Sequence, residues 1–185
     1  MPPEGSGPCL CARSAGEAGQ KNNSAAQYHF GSKLGLVNAI LDARSASVQQ
    51  RRKELVASLD ESDLRAVVTA EIAPLAESIS DPGHSRFYLR FPATAVNDPA
   101  LRAAWSQDPR PQQAEVRRLH RNVAALLPDI PRRVVQRRLE WAARVTLPLL
   151  AEHEELRHSG KGAADTALVV RELVDMQVAL LSCPI

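Results

Sequence analysis

Between residues 20 and 33 the chain reads QKNNSAAQYHFGSK, and its polar side chains suit hydrogen bonding to a partner better than bond-making. Asn and Gln carry a donor and an acceptor in one plane, which pairs with an adenine edge, while Lys suits guanine or a phosphate. On one short helix, Lys21, Asn22, Asn23, Ser24 and Gln27 would form the leading end in a DNA major groove, with Tyr28, His29 and Lys33 placed for phosphates. A plainer use exists. Asn22, Asn23 and Ser24 are good helix caps, because short oxygen-bearing side chains accept from the free N–H groups of a first turn. Both uses stay open for these polar residues; Phe30 is expected to be core.

Groups that make or break bonds are not arranged for it. The chain has no G-x-S-x-G elbow, no G-x-x-x-x-G-K phosphate loop and no H-E-x-x-H. His153 and His158 flank two glutamates, but an i, i+5 spacing points the imidazoles to different helix faces, and solvated charge at a frayed helix end is expected there. Cys9, Cys11 and Cys183 are an odd number with no regular metal spacing. The expectation is a protein without catalytic residues, metal or cofactor, and so not an enzyme.

Gly31-Ser32 breaks a short helix, and Ser32 can cap a longer one carrying Leu34, Val37, Ile40 and Leu41. A short polar helix joined to an amphipathic one by a Gly-containing turn is what a helix-turn-helix needs. The run Tyr28-His29-Phe30, then Gly31-Ser32-Lys33 and an apolar helix, resembles the end of the recognition helix in the TetR family of transcription regulators. Gln27 departs from that family, which usually has Tyr at this place. The resemblance is strongest over residues 18–45. It implies an all-α, TetR-like fold with a partial helix-turn-helix at 17–45, a ligand-sensing and dimerisation domain at 46–185, and an irregular tail at 1–16. The family normally sets two helices before the recognition helix. Residues 1–16, MPPEGSGPCLCARSAG, offer no apolar period for them, so an incomplete helix-turn-helix with impaired DNA binding is expected.

Composition agrees with a helical protein. The chain has 185 residues, 44% of them hydrophobic but only 4% aromatic, a mixture that packs as helices more readily than as sheet. A net charge of +2 supplies no overall basic field, so any DNA contact must be local. No apolar run approaches the ~20 residues of a membrane span, and the N-terminus lacks the pattern of a signal peptide. A cytoplasmic protein with no membrane contact is the expectation.

Further along, a helix from Ser32 to about Leu59 ends in a charged run, Gln49 to Glu54, expected as a solvated face. Asp60-Glu61-Ser62-Asp63 caps a helix carrying Leu64 to Ile79, which Pro74 should kink. Pro92 should interrupt the segment from His84 to Val96, and Asp98-Pro99 should restart the chain as a new helix. One more helix spans Val116 to Leu127. Two long ones follow, from about Pro131 to Leu156 and from Ala163 to Leu181, with a flexible link at 158–162. The last keeps only a narrow polar strip at Arg171, Glu172 and Asp175, too apolar for one domain core. The resemblance implies a homodimer through these last two helices. An effector pocket is expected from Phe87, Tyr88, Phe91, Trp105 and Trp141, with His120 or Arg144 as polar anchor. Two functions result: a regulator, most readily a repressor, that a small apolar effector releases from double-stranded operator DNA, or an all-α dimerisation protein that never touches DNA.

Overall fold

The computed structural model describes residues 33–80, 88–106 and 114–185, and every regular element among them is helical. The all-α expectation is met. The seven helices among the described residues are α1 (Lys33–Ala57), α2 (Leu64–Glu77), α3 (Arg90–Ala95), α4 (Pro99–Ser106), α5 (Ala114–Leu126), α6 (Arg132–Ser159) and α7 (Thr166–Ser182). A 3₁₀ turn, Ser78–Ser80, extends α2. The contacts divide the chain into two units, Met1–Ala43 and Arg44–Ile185. The core built from α2, α5, α6 and α7 belongs to the second.

Its helices begin where short acidic side chains can cap them. Asp63 accepts from the Arg65 N–H at 2.8 Å, and Asp98 accepts from the N–H groups of Ala100 and Leu101 at 2.9 and 3.1 Å. Asp165 does the same for α7 at 3.3 Å. Each answers donors that a first helical turn leaves unpaired. At the far end of α6, Gly160 takes a left-handed conformation, φ 66°, and closes the helix.

α2 is the central element. Val67, Val68, Ala70, Ile72, Ala73, Pro74 and Ala76 are buried on it, and it packs against α7, α5 and, less extensively, α6. Leu119 and Val123 of α5, Val135, Leu139 and Leu150 of α6, and Leu173, Val174 and Leu181 of α7 complete one core. α3 rests on α6, which also packs on α5 and α7. The C-terminal half of α1 joins the core through Val48 and Val56.

Three local expectations are corrected. Pro92 does not interrupt a helix; it lies in the first turn of α3, where a missing N–H removes no intrahelical bond. The run from Gln49 to Glu54 is not wholly solvated, because Arg52 is only 3% exposed. α6 does not fray at its end, since it stays helical to Ser159, with His153 and Glu154 both buried. None of the helices described is long and apolar enough to cross a membrane.

Candidate functional site

Two arrangements stand out, one inside the bundle and one on its surface. The interior one begins with Val48, Arg52 and Val56, spaced at four residues and therefore stacked on one face of α1. That face is apolar and turned to the core, so the Arg52 guanidinium enters the interior. Its Nη1 donates to Gln49 Oε1 at 2.9 Å and its Nη2 to the Glu71 carbonyl of α2 at 3.2 Å. The buried Nε has no hydrogen-bond partner among the described residues. Next to it on α1, Arg51 binds Glu77 of α2 at 2.7 Å, so two consecutive arginines tie α1 to the central helix.

The Glu71 side chain meets His120 of α5, Oε1 to Nε2, at 3.0 Å. Burial alone would raise the Glu71 carboxyl, but the charge and hydrogen bond of His120, with Arg52 nearby, hold it below its ordinary value. Burial likewise works against a charged His120. The Glu71 carboxylate outweighs both that and the repulsion of Arg52, so the imidazole titrates above its ordinary value. Burial depresses Arg52 in turn, against the opposing fields of Glu71, Tyr88 and Glu115. Glu115 Oε2 is buried without a hydrogen-bond partner among the described residues. One polar and charged cluster thus joins α1, α2, α5 and Tyr88, two residues before α3.

The surface arrangement belongs to the last two helices. Trp141, Val145, Leu149 and Leu156 of α6 fall within one arc of that helix, and Leu168 and Met176 stand on α7. All six are between 37% and 50% exposed, high for large apolar side chains. A groove of about 220 Å³ joins the two rows, lined by Ala142, Val145 and Thr146 of α6 and Leu173, Met176, Gln177 and Leu180 of α7. Its floor is fixed: Gln177 Nε2 donates to Thr146 Oγ1 at 2.6 Å, a buried bond between the two helices. Arg138 adds a second tie by donating to the Leu181 carbonyl at 2.7 Å.

The sequence-derived residues divide between these places. His120 and Tyr88 come to the interior cluster, with Tyr88 5% exposed and within electrostatic reach of Arg52. Phe91 is half-buried on α3. Trp141 and Arg144 stand exposed on α6, where the Arg137 guanidinium lies 5.2 Å from the centre of the Trp141 ring. Trp105 is on α4 and Lys33 opens α1; their side chains are not described. Phe87 and the proposed DNA contacts Lys21, Asn22, Asn23, Ser24, Gln27, Tyr28 and His29 lie outside the described residues.

Arg52, Glu71 and Glu115 were missed by sequence reasoning, although Val48-x₃-Arg52-x₃-Val56 carried a signal: a charge set in the middle of an apolar ladder. His153 is a further case. It meets Thr166 Oγ1 at 3.0 Å, and burial, helped by Arg157 and opposed by Asp165, lowers its ionisation. Among the described residues no group of three or more His, Cys, Asp and Glu side chains is placed to hold a metal ion. No family model matches the chain, and no curated protein or solved structure matches it significantly.

Proposed function

We propose that the protein is a non-enzymatic, dimeric transcription regulator of TetR type, responsive to a small apolar effector and working in the cytoplasm. The observation that carries this reading is the exposed apolar face of α6 and α7, continuous across their groove. A second copy of the chain covers such a face by two-fold pairing, and a specific interface of this kind buries about 800 Å² per partner. Each protomer then presents one copy of the stretch QKNNSAAQYHFGSK to a half-site, and the pairing sets the spacing of the two. What supports the DNA-reading half is the sequence resemblance, together with a long helix that starts at Lys33, directly after Gly31-Ser32. The effector acts on the helical region 46–185 and changes that spacing, which lowers affinity for the operator.

A gel shift against the DNA upstream of the protein's own gene, at stated salt, tests the reading. The expected result is a weak shift by a dimer, lost in Asn23→Ala or Gln27→Ala. A folded dimer that gives no shift favours the alternative, an all-α dimerisation protein without DNA contact. A folded monomer removes the support for both.

A further inference from the structure

Cationic side chains from two other helices converge on Glu71. His120 of α5 touches it at 3.0 Å, and Arg52 of α1 lies within electrostatic reach while bonding the carbonyl of the same residue. The two cations oppose one another: Arg52 disfavours the proton on His120. Arg52 also keeps an unused donor, the buried Nε–H, with no partner among the described residues. A buried donor of a charged group left without an acceptor is costly. One side chain is therefore held by α5 while a donor on α1 stands empty beside the same residue. The position is open to protons, since 37% of the His120 side chain and 21% of that of Glu71 remain exposed.

We propose that Glu71 is a shared carboxylate under proton control, bound to His120 when that imidazole is charged and released toward Arg52 when it is neutral. Protonation binds α5 to α2 and weakens the hold on α1. Loss of the proton removes the competing cation, and the carboxylate strengthens the clamp on the 44–57 part of α1. The other groups in reach set the range of the exchange: Glu115 and Tyr88 act on Arg52, and Arg52 and Glu71 act on His120. No atom is transferred apart from the His120 proton, which passes to water. The clamp itself does not depend on the regulator reading; its use does, because in that reading α1 follows directly on the recognition helix.

Hydrogen exchange followed by mass spectrometry on the full-length protein from pH 5.5 to 8.5, corrected for intrinsic rates, reads the clamp directly. Protection of the peptide covering residues 45–57 should rise through the His120 titration, by roughly tenfold for each pKa unit of coupling between Arg52 and His120. NMR on the unmodified protein should place the His120 titration above its ordinary value. In His120→Gln the rise disappears while the circular dichroism of the bundle persists. In Glu71→Gln the His120 titration falls. Protection that is flat in the unmodified protein while His120 titrates overturns the proposal, even should His120→Gln fail to fold. So does the same rise in a folded His120→Gln. Neither result touches the gel-shift test, which reads DNA binding alone.

Discussion

Single polar side chains inside this bundle repeat one arrangement, a charged or amide group on an apolar ladder that hydrogen-bonds across to another segment. Glu154 is the clearest. It follows Leu150 by one helical turn on α6, is 2% exposed, and its two oxygens accept from the N–H groups of Tyr88 and Leu89 at 2.9 and 3.0 Å. Those N–H groups precede α3, whose N-cap residue Leu89 offers no capping side chain of its own. A carboxylate from a distant helix thus does the work of a cap. Glu154→Ala should cost about 2–4 kcal/mol, because two charge-assisted bonds go and two buried donors remain. Glu154→Gln, which keeps one acceptor, should cost less. Urea unfolding followed by circular dichroism compares them, and equal losses would show that burial rather than acceptance matters at this site. Such residues were half-legible. Arg52 between Val48 and Val56, and Gln177 between Leu173 and Leu181, announce burial by their position on the ladder. What each one reaches depends on residues far along the chain, and no local spacing encodes that.

At the scale of elements the sequence was far more readable, because helix ends are decided by neighbours. Asp63 and Asp98 marked starts that the backbone uses, whereas the last helix begins after Asp165 rather than at the expected Ala163. The apolar period of Leu64 to Ile79 marked α2 as a helix, but its central place in the core shows only in the packing. The miss at Pro92 has the same local logic taken one step too far: proline breaks a helix interior but is tolerated in a first turn. The end of α6 was misjudged for a different reason. His153, Glu154 and Glu155 look solvated by composition, yet the first two are held by Thr166 and by the backbone before α3, and these contacts keep the helix intact to Gly160. The turn there depends on glycine. A Cβ at Gly160 would meet nothing within 4 Å, so space does not limit it; the positive φ does. Gly160→Ala should lower stability by about 1 kcal/mol, while Gly160→Asn, which tolerates the left-handed region, should lose less. Thermal unfolding of the two variants distinguishes backbone strain from crowding, since crowding would penalise the larger Asn more.

The molecule as a whole presents a conflict between its core and its surface. The core is closed by α2, α5, α6 and α7, with Leu119, Leu150 and Leu181 fully buried, yet the outer face of α6 and α7 exposes enough apolar side chain for a second contact. The excess was visible in the sequence of α7, whose polar strip is narrow. The row on α6 was not, because Trp141 and Val145 are indistinguishable by type from core residues and only the packing decides which way they face. The proposed pairing with a second copy would resolve the conflict, and it makes a specific demand on the groove. Val145 and Met176 border it from opposite helices, and the Thr146–Gln177 bond beneath holds its floor in place. A charge at either rim, in Val145→Glu or Met176→Glu, lies exposed in a monomer and should change folding stability by less than about 0.5 kcal/mol. In a two-fold interface each substitution enters twice and buries an unpaired carboxylate, which association does not tolerate. Sedimentation velocity should therefore show a dimer for the unmodified protein and a folded monomer for both variants. Dimers that survive both substitutions would move the interface away from this face, and the α6–α7 surface would then need a different occupant.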